Sequence, residues 1–217
     1  MGRTRRRLLA AVPLLLCLAA TTAHAQQEQL FRNSWFWGLH AGATSIGTPT
    51  RSASQASTLG AEWMITRTDG GLYVAYDQAS FSRMSGVVDP SASNGVRPVA
   101  IHDLRTLSIG GVAFPWHSGH FRPYAGLGYA LSLIGNADIQ ADSLNTTVPS
   151  GLSQNVDDAR SRSSVFALAG AQWQINRSAI FAQASFIPSS SQFLVTKPIT
   201  TIMAGIRYNF GTSIEGQ

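Results

Sequence analysis

The chain has 217 residues, 44% of them hydrophobic and only 12% charged, with 16 Lys+Arg against 11 Asp+Glu and a single Cys. Arg3, Arg5, Arg6 and Arg7 precede an apolar run from Leu8 to about Ala20 and a small-x-small site at Ala23-His24-Ala25, so residues 1–25 are expected to be a cleaved secretory signal. Without that segment the balance is 12 basic to 11 acidic residues and Cys17 is gone, which excludes nucleic acid as a partner and cysteine as disulfide, metal ligand or nucleophile.

The run from Leu8 to about Ala20, which contains Cys17, is well short of the ~20 residues that cross a bilayer as a helix. The Leu14-Leu15-Leu16 stretch ahead of it also lacks the small residue that a lipidated Cys follows.

Beyond the signal the chain reads as strands. The first, Trp35 to Ile46, sets Trp35, Trp37, Leu39, Ala41 and Ala43 against Phe36, Gly38, His40, Gly42 and Thr44. A Thr/Pro/Ser loop follows from about residue 47 to 55. The second strand, about Ala56 to Thr66, sets Leu59, Ala61, Trp63 and Ile65 against Thr58, Gly60, Glu62 and Met64, and Asp69-Gly70 closes a tight turn. The third runs from Leu72 to about Phe81 with Asp77 among apolar neighbours, before a long loop over 82–100.

The fourth strand, about Ile101 to Phe114, alternates Leu107, Ile109 and Ala113 with Thr106, Ser108 and Gly110. After a turn over 115–120 comes the fifth, about Phe121 to Leu133, and then the longest loop, 134–162. The sixth is about Ser163 to Ile175, the seventh Ala179 to Ile187 after the turn Asn176-Arg177-Ser178, and the eighth Ile199 to Phe210 after a Ser-rich loop over 188–198.

Eight strands with links alternating long and short suit an all-β, eight-stranded antiparallel transmembrane β-barrel of up-and-down meander topology. The long links are expected to be extracellular, and the short turns and both termini periplasmic. Trp35, Trp37, Trp63, Trp116, Trp173, Tyr208 and Phe210 then gather at the periplasmic end as an aromatic girdle, joined by Tyr73, Phe114, Phe121 and Phe181. Phe81, Phe166, Phe186 and Tyr129 mark a thinner opposite rim.

The end of the last strand, Ala204-Gly205-Ile206-Arg207-Tyr208-Asn209-Phe210, resembles the C-terminal assembly signal of bacterial outer-membrane barrels, carried by Ala204, Ile206, Tyr208 and Phe210. The run Arg122-Pro123-Tyr124-Ala125-Gly126-Leu127-Gly128 is also similar to small barrels of the OmpA-transmembrane and OmpX type. The resemblance implies a Gram-negative outer-membrane barrel over 26–210, with residues 211–217 as a short periplasmic tail after Phe210. It implies as partners outer-membrane lipids and lipopolysaccharide, the barrel-assembly machinery during biogenesis, and an extracellular partner reached through the loops. No cofactor is implied.

Strand parity puts His40, Glu62, Asp77, Arg122, Tyr124, Gln172, Gln183 and Arg207 in the lumen, with Thr106, Ser108 and Ser185. An eight-stranded interior is filled by side chains, so these groups are expected to pair as a plug, Glu62 and Asp77 sharing Arg207 or Arg122. A gated pore is the alternative.

No catalytic or metal site is assigned. His117 and His120 sit in a turn without a nearby carboxylate, against a metal centre. A lipid A deacylase needs a His, a Ser and an acid together; His117-Ser118 falls at the periplasmic end and His102-Asp103 with Ser108 is poorly spaced. Asp138, Asp142, Asp157 and Asp158 match no ordered calcium loop. The function expected is non-enzymatic, structural or surface-interacting, with a pore, a lipid A-modifying enzyme and a soluble lipocalin-like binder as rivals.

Overall fold

Period-2 alternation gives each segment two unlike faces, and a sheet with such faces escapes unpaired edges in lipid only by closing on itself. The computed structural model describes residues 31–48, 51–116, 119–140, 150–188 and 194–212. Its elements are β1 (Ser34–Thr48), β2 (Arg51–Thr66), β3 (Gly70–Val88), β4 (Val96–Ala113), β5 (Phe121–Ile134), β6 (Ala137–Ile139), α1 (Ser150–Asp158), β7 (Ser161–Ile175), β8 (Ser178–Ile187) and β9 (Ile199–Thr212). The antiparallel order β3-β2-β1-β9-β8-β7-β5-β4 is closed by β3–β4, giving a barrel of eight staves. The three-residue β6 lies outside this ring, on β4 beyond the last β4–β5 pair, Leu104↔Ile134.

The last strand is the closing stave. β9 meets β1 with Trp37↔Tyr208, Gly38↔Arg207 and Leu39↔Ile206, and meets β8 with Ile180↔Ile206. The outer wall is apolar and bare: Leu39, Leu59, Leu127, Ile202, Ile206 and Phe210 are each more than 60% exposed. The inner wall buries charge, with Arg122, Arg207 and Glu62 at 2% exposure or less. That inverted arrangement suits a lipid solvent and reverses the apolar interior a soluble lipocalin-like binder would need.

The links differ from the sequence reading. The loop expected over 47–55 is strand on both sides, with β1 running to Thr48 and β2 starting at Arg51. The loop expected over 82–100 is mostly a hairpin, since β3 continues to Val88 and β4 begins at Val96. Polar Ser and Thr residues hide no alternation beyond the lipid, where both strand faces can meet water, so periodicity could not reveal these extensions. Pro98 is tolerated within β4 because its missing N–H is on the side away from β3, while its carbonyl accepts from Gln140 N–H at 3.0 Å. The third long link holds β6 and the helix α1, neither expected.

Asp89 builds the hairpin turn: its Oδ1 accepts from Ser91 N–H at 2.9 Å and Ser91 Oγ–H at 2.6 Å, and its Oδ2 from Arg97 Nε–H at 2.6 Å. Gly95, at φ +72°, supplies the left-handed position that the turn requires. The expected signal, residues 1–25, and the chain after Thr212 lie outside the described residues.

Candidate functional site

The lumen is filled in layers. Nearest the short turns, the Arg122 guanidinium lies 3.9 Å from the Phe31 ring centroid, Phe31 meets Phe114 edge-on at 4.8 Å, and Arg122 Nε–H donates to the Gly119 carbonyl. Phe36 and Met64 close this layer from β1 and β2, both 1% exposed.

The middle layer is centred on Arg207. Its Nε–H donates to Glu62 Oε1, Nη1–H to Gln172 Oε1 at 2.6 Å, and Nη2–H to Tyr124 Oη at 2.9 Å and Gln183 Oε1 at 3.2 Å. The guanidinium also stacks 3.9 Å from the Phe181 ring centroid. Gln183 extends the network, accepting from the Tyr124 hydroxyl at 2.7 Å and donating to Tyr73 Oη at 2.8 Å.

His40 stands between two acids, Nε2 2.6 Å from Asp77 Oδ1 and Nδ1 3.7 Å from Glu62 Oε2. Of the partners expected for the acids, Arg207 takes Glu62, but Asp77 pairs with His40 and not with Arg122. Two glycines make room: a Cβ on Gly38 would lie 2.9 Å from Glu62 Oε1, and one on Gly60 would lie 2.2 Å from His40 Nε2. The spacing of these contacts is set by register, since Gly38 faces both Glu62 and Arg207 across β1, and Gly60 faces both His40 and Asp77 across β2.

Above that layer Thr44 Oγ1 bonds Thr58 Oγ1 at 2.6 Å and Thr201 Oγ1 at 2.9 Å. A cavity of about 20 Å³ remains there, lined by these threonines with Asp77, Thr106, Ser108 and Ser185, room for a single water. An apolar cap built from several links closes the long-loop end, including Ile46, Val99, Ile101, Val156, Leu194 and Val195. The links also bond each other, with Ser85 Oγ–H to the Leu194 carbonyl at 2.8 Å, Thr48 Oγ1–H to the Met84 carbonyl at 2.7 Å and Thr196 N–H to the Gly47 carbonyl at 2.9 Å.

Several aromatics sit elsewhere than expected. Tyr73, Phe114 and Phe181, read as girdle, and Phe166, read as rim, are all at or below 5% exposure on the inner wall. Parity carried this signal: Tyr73 shares it with Asp77, Phe181 with Gln183, Phe114 with Ser108 and Phe166 with Gln172, all expected inside. Their size and lack of charge suit the lipid interface equally well, so composition alone does not separate the two faces.

On the outer wall at the short-turn end are Trp35, Trp37, Trp116, Trp173, Tyr208 and Phe210, all exposed, with half-buried Trp63 5.3 Å from Trp35 between ring centroids. Ala204 and Ile206 face outward beside them.

Among the described residues, the other polar groups do not converge on a reaction centre. His117 and Ser118 lie outside the described residues, and so does Asp142. His102 faces outward and meets Asp138 Oδ2 at 3.1 Å, whereas Ser108 is 6% exposed on the inner wall, so those two are on opposite faces. His120 stacks on Trp173 at 5.9 Å with Nδ1 2.9 Å from the Gln174 carbonyl oxygen, and Asp157 pairs with Arg160 at 2.9 Å.

No family model matches the chain, and no curated protein matches it in sequence. Its fold is similar to that of Neisserial surface protein A, with a TM-score of 0.54 and 11% identity over 81% of this chain and 97% of that one. It is also similar to Ail, the attachment invasion locus protein of Yersinia pestis, with a TM-score of 0.50 and 13% identity over 82% of this chain and 99% of that one. The fold is thus that of the small outer-membrane β-barrels.

Proposed function

We propose that the protein is a non-conducting, non-enzymatic barrel of a Gram-negative outer membrane, its short turns and both termini periplasmic, acting through the folded surface of its long connections. One contrast carries this reading. The lumen is blocked by the Arg207 network and capped by apolar side chains, while the long-loop end is a projecting hairpin with a third short strand bonded to it and a helix that adds Val156 to the apolar cap. Connections that only had to join staves would need no such order. The names of the two similar proteins, one an attachment invasion locus protein and one a surface protein, agree with it.

Val88, 78% exposed at the hairpin tip, gives the test. With Cys17 in the expected signal, Val88→Cys is the sole thiol of the secreted chain, and a membrane-impermeant maleimide should label it on intact cells. Purified protein in planar bilayers should be silent. Labelling only after lysis would reverse the orientation, and reproducible conductance steps would establish the gated pore, whose opening requires Arg207 to leave Glu62. An altered lipid A mass spectrum on overexpression would instead mark an enzyme.

A further inference from the structure

The cavity of about 20 Å³ above the Arg207 layer is built by register. Ser185 faces Thr201 across β8 and β9, and Thr201 faces Thr44 across β9 and β1, so hydroxyls from three neighbouring staves stand in one inward row. Opposite them Asp77 faces Thr106 across β3 and β4, with Ser108 at the next inward position of β4 and Thr58 of β2 completing the polar lining. Leu104, Phe166, Ile187 and Ile199 supply the apolar remainder, each at 6% exposure or less.

Two features set this space apart from a packing gap. The first is a set of polar atoms without partners. The Thr106 and Ser108 hydroxyls, on residues 7 and 6% exposed, make no hydrogen bond among the described residues, and Asp77 makes one only, Oδ1 to His40 Nε2 at 2.6 Å. Its second carboxylate oxygen is left over. Buried groups of this kind are hydrogen-bonded or bound to a cation, because otherwise the water they gave up is not replaced.

The second feature is charge. Arg207 answers Glu62, while among the described residues Asp77 has His40, an imidazole that can donate to a carboxylate without cancelling its charge. No basic side chain lines the cavity.

We propose that the cavity binds a sodium ion, coordinated by Asp77 and the hydroxyls around it. Oxygen donors alone, one of them charged, suit a hard cation. A divalent ion would outweigh the single carboxylate, and magnesium would also bring waters for which there is no room. The same small volume favours sodium over the larger potassium ion. Sodium there ties β1, β2, β3, β4, β8 and β9 to one centre, and since the unfolded chain has no such site, its binding is part of the folding free energy.

The test is urea unfolding of the protein refolded into phosphatidylcholine vesicles, whose headgroups carry no net charge, in sodium, potassium or choline chloride of equal ionic strength. The pH is held at about 8, above the ordinary imidazole range. Once sodium exceeds its dissociation constant, each tenfold rise in sodium against choline should raise the folding equilibrium constant about tenfold, and potassium should do less. Asp77→Asn should abolish the sodium dependence. Thr106→Val keeps a similar shape and loses one ligand, so it should match or exceed wild type in choline and need more sodium for the same gain. A hydroxyl with a purely structural role would cost the same in every salt. Heat-dependent gel migration shows that each variant has folded. Identical folding constants of the wild type in all three salts would overturn the proposal and leave the cavity to water. Potassium as effective as sodium would overturn it too, as would a sodium dependence that survives Asp77→Asn, which places the ion elsewhere.

Discussion

Replacing Arg207 by alanine should destabilise the barrel by about 3 kcal/mol, the lower end of the ~3–5 kcal/mol that breaking a buried ion pair costs. Glu62, 2% exposed, loses its guanidinium partner but keeps Gln183 Nε2 at 3.3 Å and His40 Nδ1 at 3.7 Å, which places the loss at that lower end. Gln172 loses its Arg207 contact while its Nε2 has no hydrogen-bond partner among the described residues, and Phe181 loses the stacked cation. A loss of this size is about a hundredfold in the folding equilibrium.

Urea unfolding of the protein in lipid vesicles, followed by tryptophan fluorescence, reads it directly. The double variant Glu62→Gln with Arg207→Met removes both charges and should recover to within about 1 kcal/mol of wild type, since most of the single-variant loss is the stranded acid. If Arg207→Ala stays within about 0.5 kcal/mol of wild type, as a surface substitution would, or if the double variant costs the sum of its singles, the lumen is not held by this pair.

Three further outcomes follow from the geometry. Phe210→Ala should slow insertion in a reconstituted assembly assay while changing the final unfolding free energy little, because Phe210 is 66% exposed on the outer wall; an unchanged insertion rate would remove it from the assembly signal. Gly60→Ala should cost about 1–3 kcal/mol by overpacking, as its Cβ would strike the His40–Asp77 pair, whereas Gly111→Ala, whose nearest neighbour is 4.0 Å away, should be neutral in the same thermal scan. Hydrogen bonds from Ser91 and then Arg97 hold Asp89 below the usual carboxylate range. Its stabilisation of the hairpin turn is thus complete above the ordinary carboxylate pKa and lost as pH falls through the lowered folded value. Amide exchange at Gly95 followed down that range should show the loss, and Asp89→Asn should abolish its pH dependence.

Parity along the strands was enough to send His40, Glu62, Arg122, Gln172, Gln183 and Arg207 inward, because the two faces of a membrane barrel meet opposite solvents and every second residue must comply. The same rule would have placed Tyr73, Phe114, Phe166 and Phe181 had aromatic size not been read as a preference for the lipid interface. Which acid meets which base could not be read this way. The partners of Glu62 come from β9, β8 and β1, and that of Asp77 from β1, so the pairing depends on how far each strand is staggered against the next and on two glycines that open space for it.

The amino-acid sequence by itself determined that this chain makes eight staves with an apolar outside, since hydrocarbon leaves the backbone no partner except a neighbouring strand. The last strand, Ile199–Thr212, carries both its outward aliphatic row and its inward arginine in plain alternation. Only the tertiary structure decided what happens beyond the lipid, where water tolerates either face and alternation ceases to carry information. There the contacts between links, not the local pattern, extend β3 and β4 and add β6 and α1.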